Sequence, residues 1–384
     1  MNYSSEIWLT AEAGAFETFK QQVSQVTDLR RWPMAAAVEQ NVLIYDGGFV
    51  RSVAADDGKR RDLMAEWASA LANGPGVIAI KGAMDDLDAV DEATALFDEI
   101  IEEEKAAGAG AGDHFAKPGA NDRIWNALEK HCLKDPANFA AYYAADALAM
   151  ASEAWLGLGY QMTAQVNRVN PGGKAQTPHR DYHLGFMSAE QIAAYPSQIH
   201  RISPLLTLQG AVAHCDMPLE TGPTLLLPYS QLFFEGYLAF SRPEFQAYFA
   251  ENHSQLPLDK GDAVFFNPAL MHGAGDNVTE DRQRMANLLQ VSSAFGRAME
   301  SVNRSAMVKA LYPHLAGLSG TALANVIGAS AEGYSFPTNL DSDPPVGGNA
   351  PKTQAARTAE ALASGMSAEE FRAAIDAADA RRLP

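Results

Sequence analysis

The chain has 384 residues, of which 47% are hydrophobic and 20% charged, an ordinary globular composition that excludes a disordered chain. Twenty-nine basic against 47 acidic side chains leave a net charge of −18, which argues against nucleic acid or an anionic membrane surface as the main partner. No apolar run approaches the roughly 20 residues that span a bilayer. Met1 to Phe19 lacks the basic flank and apolar stretch of a signal peptide, and two cysteines, Cys132 and Cys215, make no disulfide framework. These features together predict a cytoplasmic protein.

In chain order, residues 61–74 carry apolar residues at helical spacing and stop at Asn73-Gly74. Val77 to Ile80 reads as a short buried strand, and 87–105 as an acidic amphipathic helix that breaks in a Gly/Ala loop around residue 110. Residues 136–156 read as one helix with Pro136 in its first turn. From residue 160 the period changes to two: QMTAQVNRV alternates polar and apolar residues as a half-buried strand does. The turn Asn170-Pro171-Gly172-Gly173 follows, and then strand candidates at LLTLQGAVAH, TLLLP, DAVFFN and RMANLLQVSS, each bounded by turn chemistry. So many short strands in one region predict a mainly β fold with flanking helices, a sandwich or jelly roll. Residues 330–357 read as a long loop. The final segment opens on Ser367 and Glu370, a capping-box spacing, and reads as a helix with Arg381 and Arg382 near its C-terminal end.

The segment 161–187 holds the chemistry. On a strand, residues two apart share a face, so His179 and Asp181 could offer an imidazole nitrogen and a carboxylate oxygen to one metal. His272 follows the apolar run DAVFFN in a turn-rich context. Two imidazoles and one carboxylate on one face of an octahedral ion leave three positions open, the arrangement of non-haem Fe(II) oxygenases. Such a face can take a bidentate 2-oxo acid and then dioxygen. The far carboxylate of a 2-oxo acid needs a partner, and an arginine fork suits it. Arg282 and Arg284 both follow His272, and strand parity does not separate them.

Three stretches in order resemble the phytanoyl-CoA dioxygenase family of Fe(II)- and 2-oxoglutarate-dependent oxygenases: QTPHRDYHLGF at 176–186, LETGPTLLLPYSQ at 219–231 and KGDAVFFNPALMHGAGDN at 260–277. The resemblance covers roughly residues 60–297. It implies a double-stranded β-helix (jelly roll), cupin-like, with Fe(II) held by His179, Asp181 and His272, 2-oxoglutarate as cosubstrate and O2 as oxidant. It also implies an arginine for the far carboxylate, best matched by Arg284, with Arg282 open to a shift of register. An intact carboxylate ligand implies hydroxylation of a small-molecule substrate with release of succinate and CO2, since related halogenases lack it. Pro228-Tyr229-Ser230-Gln231 departs from the family's small-residue "PGSH" segment, so the resemblance names no substrate.

Other polar residues are candidates of second rank. Gln165 and Asn167 share a strand face just before the metal segment, and Gln176 lies three residues before His179; all three are candidates for contact with 2-oxoglutarate or substrate. His183, Thr207, Gln209 and Asn277 could border the site or serve packing and turns. His114, Lys117 and Arg123 could cover its mouth or lie on a plain surface loop. His214, Cys215 and Asp216 read as a strand end. The expected organisation is a jelly-roll oxygenase domain with N-terminal helices over 1–330 and a loop plus helix extension over 331–384. A homo-oligomer stays open. The competing readings are a cupin-like metal-dependent isomerase or hydrolase that uses no 2-oxoglutarate, and a non-catalytic ligand-binding relative.

Overall fold

The computed structural model describes residues 3–108 and 119–383. His114 and Lys117 lie outside the described residues, as does most of the Gly/Ala loop around residue 110. Eleven strands form two sheets: β1 (Ala37–Glu39), β2 (Val42–Asp46), β3 (Val77–Lys81), β4 (Asn121–Ile124), β5 (Gln161–Val169), β6 (Thr207–Ala213), β7 (Leu225–Leu227), β8 (Ser254–Gln255), β9 (Ala263–Phe266), β10 (Met271–Gly273) and β11 (Arg284–Ser292). The large sheet runs β1-β2-β3-β9-β6-β11-β5-β4 and is mixed, with β2 and β3 parallel and every other pair antiparallel. The small sheet runs β10-β7-β8.

Alternation along the strands gives the large sheet two different faces. The outer face carries Met162, Ala164 and Val166 of β5, Leu208 and Val212 of β6, Phe265 of β9, and Leu289 and Val291 of β11. These pack against Leu63 and Trp67 of the helix Asp57–Asn73, Val90 and Phe97 of the helix Leu87–Ala106, and Leu311 of the helix Arg304–Leu315. Each such large side chain taken fully out of water is worth about 1.5–3 kcal/mol. The inner face joins Val264 and Phe266 to Leu226, Leu256 and Leu270, and so faces the small sheet. That inner face is also where the polar residues collect, which is why the strands of the middle region alternate at all.

Several elements depart from the sequence expectations. The run 136–156 is two helices, Pro136–Tyr143 and Asp146–Leu156. Asn325 donates its side-chain amide to Ala144 O and to Asp146 Oδ1, both at 2.9 Å, and holds the break from a helix nearly 180 residues away. The helix before β3 starts at Asp57 rather than 61, capped by Asp56, whose carboxylate accepts from Gly58 and Lys59 N–H. Strands β1 and β2 have no strong sequence signal; they join through Gln40 and Asn41, both with positive φ, a two-residue hairpin turn. Asn121–Ile124 is edge strand β4 rather than loop.

The C-terminal helix Ala368–Arg382 has the capping box at Ser367 and Glu370 and docks on the body of the protein: the Phe371 ring stacks on Tyr312 at 3.9 Å. The loop before it ends at Thr353, which caps a further helix, Gln354–Ala363. Among the described residues no helix is long and apolar enough to cross a membrane.

Candidate metal centre

His179 and Asp181 sit in an irregular segment rather than on a strand. Pro178 offers no N–H to a ladder, and Tyr182 and His183 both have positive φ, which ends any extended run. A single antiparallel bridge remains, His179 to His272, with N–H···O distances of 2.8 and 3.0 Å. Asp181 N–H donates to Pro268 O at 3.0 Å. His272 belongs to β10, where it stands opposite Leu226 of β7. The LETGPTLLLP motif thus supplies the partner strand of the distal histidine. Its Gly222 (φ +73°) packs on the loop after His272 so closely that a Cβ would lie 2.4 Å from Asp276 O.

These contacts bring one donor atom each from His179, Asp181 and His272 within 4.8 Å of one another. His179 Nε2 lies 3.5 Å from Asp181 Oδ1, and His272 Nε2 lies 3.5 Å from Asp181 Oδ2. Both Nδ1–H groups are committed to carbonyls, His179 to Thr177 O and His272 to Leu270 O, each at 2.8 Å. A carbonyl can only accept, so each neutral ring turns an Nε2 lone pair toward the carboxylate. Three acceptors facing one another are satisfied only by a cation. The donor set therefore fits a divalent metal of the iron type, with the ring orientation fixed by outer hydrogen bonds.

The electrostatics agree. Burial works to raise the Asp181 carboxyl, but the two histidines outweigh it and hold it well below the usual carboxylate range. Burial, and then the neighbouring His179, lower the His272 imidazole and keep it neutral. Gln209, on the inner face of β6, donates its side-chain amide to Asp181 Oδ2. The Phe266 ring lies 4.7 Å from His272. Tyr237 donates its hydroxyl to Asp181 O at 2.9 Å.

Arg180, between the two donors, turns away and stitches the segment to the 230–233 loop through Ser230 O and Phe233 O. Gly236 makes room for it, since a Cβ there would lie 1.9 Å from the guanidinium. Tyr229, Ser230 and Gln231 are scaffold: Tyr229 bonds Thr27, Ser230 accepts from Met271 N–H, and Gln231 donates to Gly74 O.

Arg284 and Arg282 are now distinct. Arg284 opens β11 on the inner face, in register with Val169, and is 6% exposed. Its guanidinium makes no hydrogen bond or ion pair among the described residues. Burial lowers its pKa to about 10. Arg282 lies before the strand, exposed, with Glu220 at 3.7 Å. Gln165 and Asn167 lie on the inner face of β5, Asn167 accepting from Asn121 at 3.3 Å. Gln176 Oε1 accepts from Ala274 N–H, bracing the segment beside His179. Asn277 makes its turn with Thr279 and Arg282 O. His214 is buried on the outer, helix-facing side, away from the three donors.

Sequence reasoning did not single out Tyr182, Gln290 or Met299. The Tyr182 hydroxyl donates to Gln290 Oε1 and lies 3.2 Å from Met299 Sδ. Gln290 stands directly opposite Gln209. The alternation of β11 could have found Gln290; nothing local marks the other two.

The family model described as phytanoyl-CoA dioxygenase (PhyH) matches residues 72–286, more than half of the chain. The chain belongs to the phytanoyl-CoA dioxygenase family. As a member it is an iron- and 2-oxoglutarate-dependent enzyme of the oxygenase type, with dioxygen as the third reactant.

Three solved structures resemble this family member at low identity. The epimerase SnoN, in complex with Fe3+, alpha-ketoglutarate and nogalamycin RO, is 19% identical, with 62% of this chain and 85% of that one covered and a TM-score of 0.41. The carbocyclase SnoK from nogalamycin biosynthesis is 19% identical, with 70% and 93% covered and a TM-score of 0.43. HygX from Streptomyces hygroscopicus, with nickel and 2-oxoglutarate bound, is 15% identical, with 59% and 86% covered and a TM-score of 0.38. At these values the likenesses do not say what this chain acts on. No curated protein matches it in sequence.

Proposed function

We propose that the protein is a hydroxylase: it couples oxidation of a C–H bond in a small organic molecule to conversion of 2-oxoglutarate into succinate and CO2. The observation that carries this reading is the pairing of a three-acceptor cluster with a buried, unpartnered guanidinium on one face of one sheet. Arg284 is a cation held in a nearly dry site with nothing to neutralise it, which is costly unless an anion arrives. A 2-oxo acid chelated beside His179, Asp181 and His272 would bring its far carboxylate as that anion, and the planar fork would receive it with two parallel bonds. Neither competing chemistry, an isomerase or hydrolase without 2-oxoglutarate nor a passive binder, gives Arg284 a task.

When bound, iron supplies the reduction of dioxygen coupled to cosubstrate decarboxylation. The chain's own residues orient and exclude. His179 and His272 offer Nε2 because Thr177 O and Leu270 O hold their Nδ1–H groups. Gln209 fixes the Asp181 carboxylate, and Phe266 keeps water from the far side of His272. Asp181 leaves no ligand position for chloride, which favours hydroxylation over halogenation.

We read the two facing sheets as a double-stranded β-helix, with residues 1–330 as the oxygenase domain and 331–384 as an extension docked on it. Gln165, Asn167 and Gln176 border the cosubstrate or substrate in this reading, and Arg282 is a surface residue. The test is anaerobic titration with Fe(II) and 2-oxoglutarate. A weak visible charge-transfer band should appear in wild type and be absent in His179→Ala. Wild type that binds iron without a band would defeat the reading.

A further inference from the structure

A cleft of about 360 Å³ lies where the segment 298–305 meets the C-terminal extension, lined among others by Gln161, Glu300, Asn303, Glu332, Gln354 and Arg382. It is connected to the metal centre through named contacts. Asp181 is bonded to Gln209, which stands opposite Gln290. Gln290 accepts from Tyr182, whose hydroxyl also reaches Met299. Gln165 Nε2 lies 3.4 Å from the same Met299 sulfur and beside Glu300, the next residue. Gln161, Thr163 and Gln165 alternate along one face of β5, so the cleft and the inner face share a polar wall that spans about 13 Å at strand rise.

The polar groups of this wall are unevenly committed. Arg304 gives its guanidinium to Met162 O and Ala329 O, and Arg382 gives its own to Pro337 O. Gln354 is held by Ser305 and Glu332 N–H. Glu300 accepts from Asn126 N–H at 2.6 Å through Oε1, while Oε2 is buried with no hydrogen-bond partner. Burial raises its pKa, as expected of a carboxyl short of donors. The cations are thus occupied and an acceptor is left over. Such a wall receives a donor and repels a phosphate or sulfate.

We propose that this cleft is the substrate entrance of the oxygenase, that Glu300 recognises an ammonium or hydroxyl group of a small polar substrate, and that the C-terminal extension forms one side of it. The inference rests on the metal-centre reading and gives that reading a substrate class. It sets this chain apart from one that takes a polyanionic CoA ester.

The experiment uses the full chain loaded with Mn(II), which is inert to dioxygen here, and 2-oxoglutarate. Ligand-observed NMR measures saturation transfer to glucosamine, glucose and coenzyme A, and the paramagnetic broadening of their protons by Mn(II). Glucosamine should bind saturably and be broadened; weaker binding of glucose would assign the ammonium, and equal binding the hydroxyls. Coenzyme A should show neither effect. Glu300→Gln should weaken glucosamine by roughly tenfold, the loss of one charge-assisted bond, with 2-oxoglutarate affinity unchanged; Glu332→Gln serves as a second variant on the extension side. Binding of coenzyme A at this site, absence of saturable glucosamine and glucose binding, or indifference of glucosamine to both substitutions overturns the proposal. Failure of 2-oxoglutarate itself to bind the Mn(II) form would instead remove the metal-centre reading beneath it.

Discussion

Gln209 of β6 bonds the Asp181 carboxylate through its side-chain amide, and so ties the rigid large sheet to an irregular segment that has no strand of its own. The other Gln209 atom, Oε1, is buried without a partner. The residue thus serves Asp181 at some cost. Gln209→Leu should lower divalent-metal affinity by about 10–100-fold, the usual loss when an outer partner of a ligand is removed, while Tm of the metal-free protein changes little. Titration with Mn(II) followed by EPR measures the first effect and calorimetry the second.

Arg284 is expected to behave oppositely in stability and in function. Arg284→Met removes a buried cation that nothing neutralises, so the metal-free variant should be as stable as wild type or more so. The same change should weaken 2-oxoglutarate by about 100-fold or more, since a fully desolvated ion pair is lost. Arg282→Ala, at an exposed pair with Glu220, should change neither by more than about twofold. Equal losses in the two variants would contradict the assignment.

A fully buried network on the outer face of the large sheet should make the fold acid-labile. Thr94 donates to Val90 O, so its oxygen accepts His214 Nδ1–H, and His214 Nε2 then accepts from Tyr142. Asn287 donates to Tyr142 and Tyr143, and His131 is bonded to Asn138. Burial lowers His131 to about 4 and His214 to about 3.

Both stay neutral in the folded chain where the unfolded chain takes up protons, near pH 6.5. Stability is therefore full above pH 6.5 and falls as pH drops toward the folded values, by about 1.4 kcal/mol per pH unit for each histidine. Urea unfolding of metal-free protein between pH 7.5 and 5 should show this slope, and His214→Phe should reduce it by about half. A flat profile would refute it.

The C-terminal helix is held chiefly by one ring. Phe371 is 1% exposed and stacks on Tyr312, with the Lys309–Asp376 pair alongside. Phe371→Ala should cost about 3–5 kcal/mol if the extension unfolds together with the body. If it detaches first, limited proteolysis should release a C-terminal fragment from the variant while β5 and β11 stay protected from hydrogen exchange.

The parts of the fold that were legible are those where local chemistry and tertiary need coincide. Gln161–Val169 alternates because one face meets helices and the other a polar interior, and its bounds read directly from turn residues. Ser367 and Glu370 cap their helix by a bond that needs no other element. What was not legible depends on distant partners. Asn325 breaks the run 136–156, and no residue within that run announces it. Pro178 and the positive φ of Tyr182 take His179 and Asp181 off a strand, yet the donors still converge, through a bridge to His272 almost a hundred residues on. The parity argument for His179 and Asp181 therefore reached the right cluster by the wrong local geometry. Arg282 and Arg284 share parity in sequence; only the start of β11 at Arg284 parts them. Tyr182, Met299 and Glu300 meet across more than a hundred residues, with no spacing to reveal it.

The most direct test of the central claim is a crystal structure of the protein grown with Ni(II) and 2-oxoglutarate. The account predicts one nickel bonded by His179 Nε2, His272 Nε2 and Asp181, with the cosubstrate's far carboxylate on the Arg284 guanidinium. Nickel bound at other residues, or cosubstrate density turned away from Arg284, would contradict it.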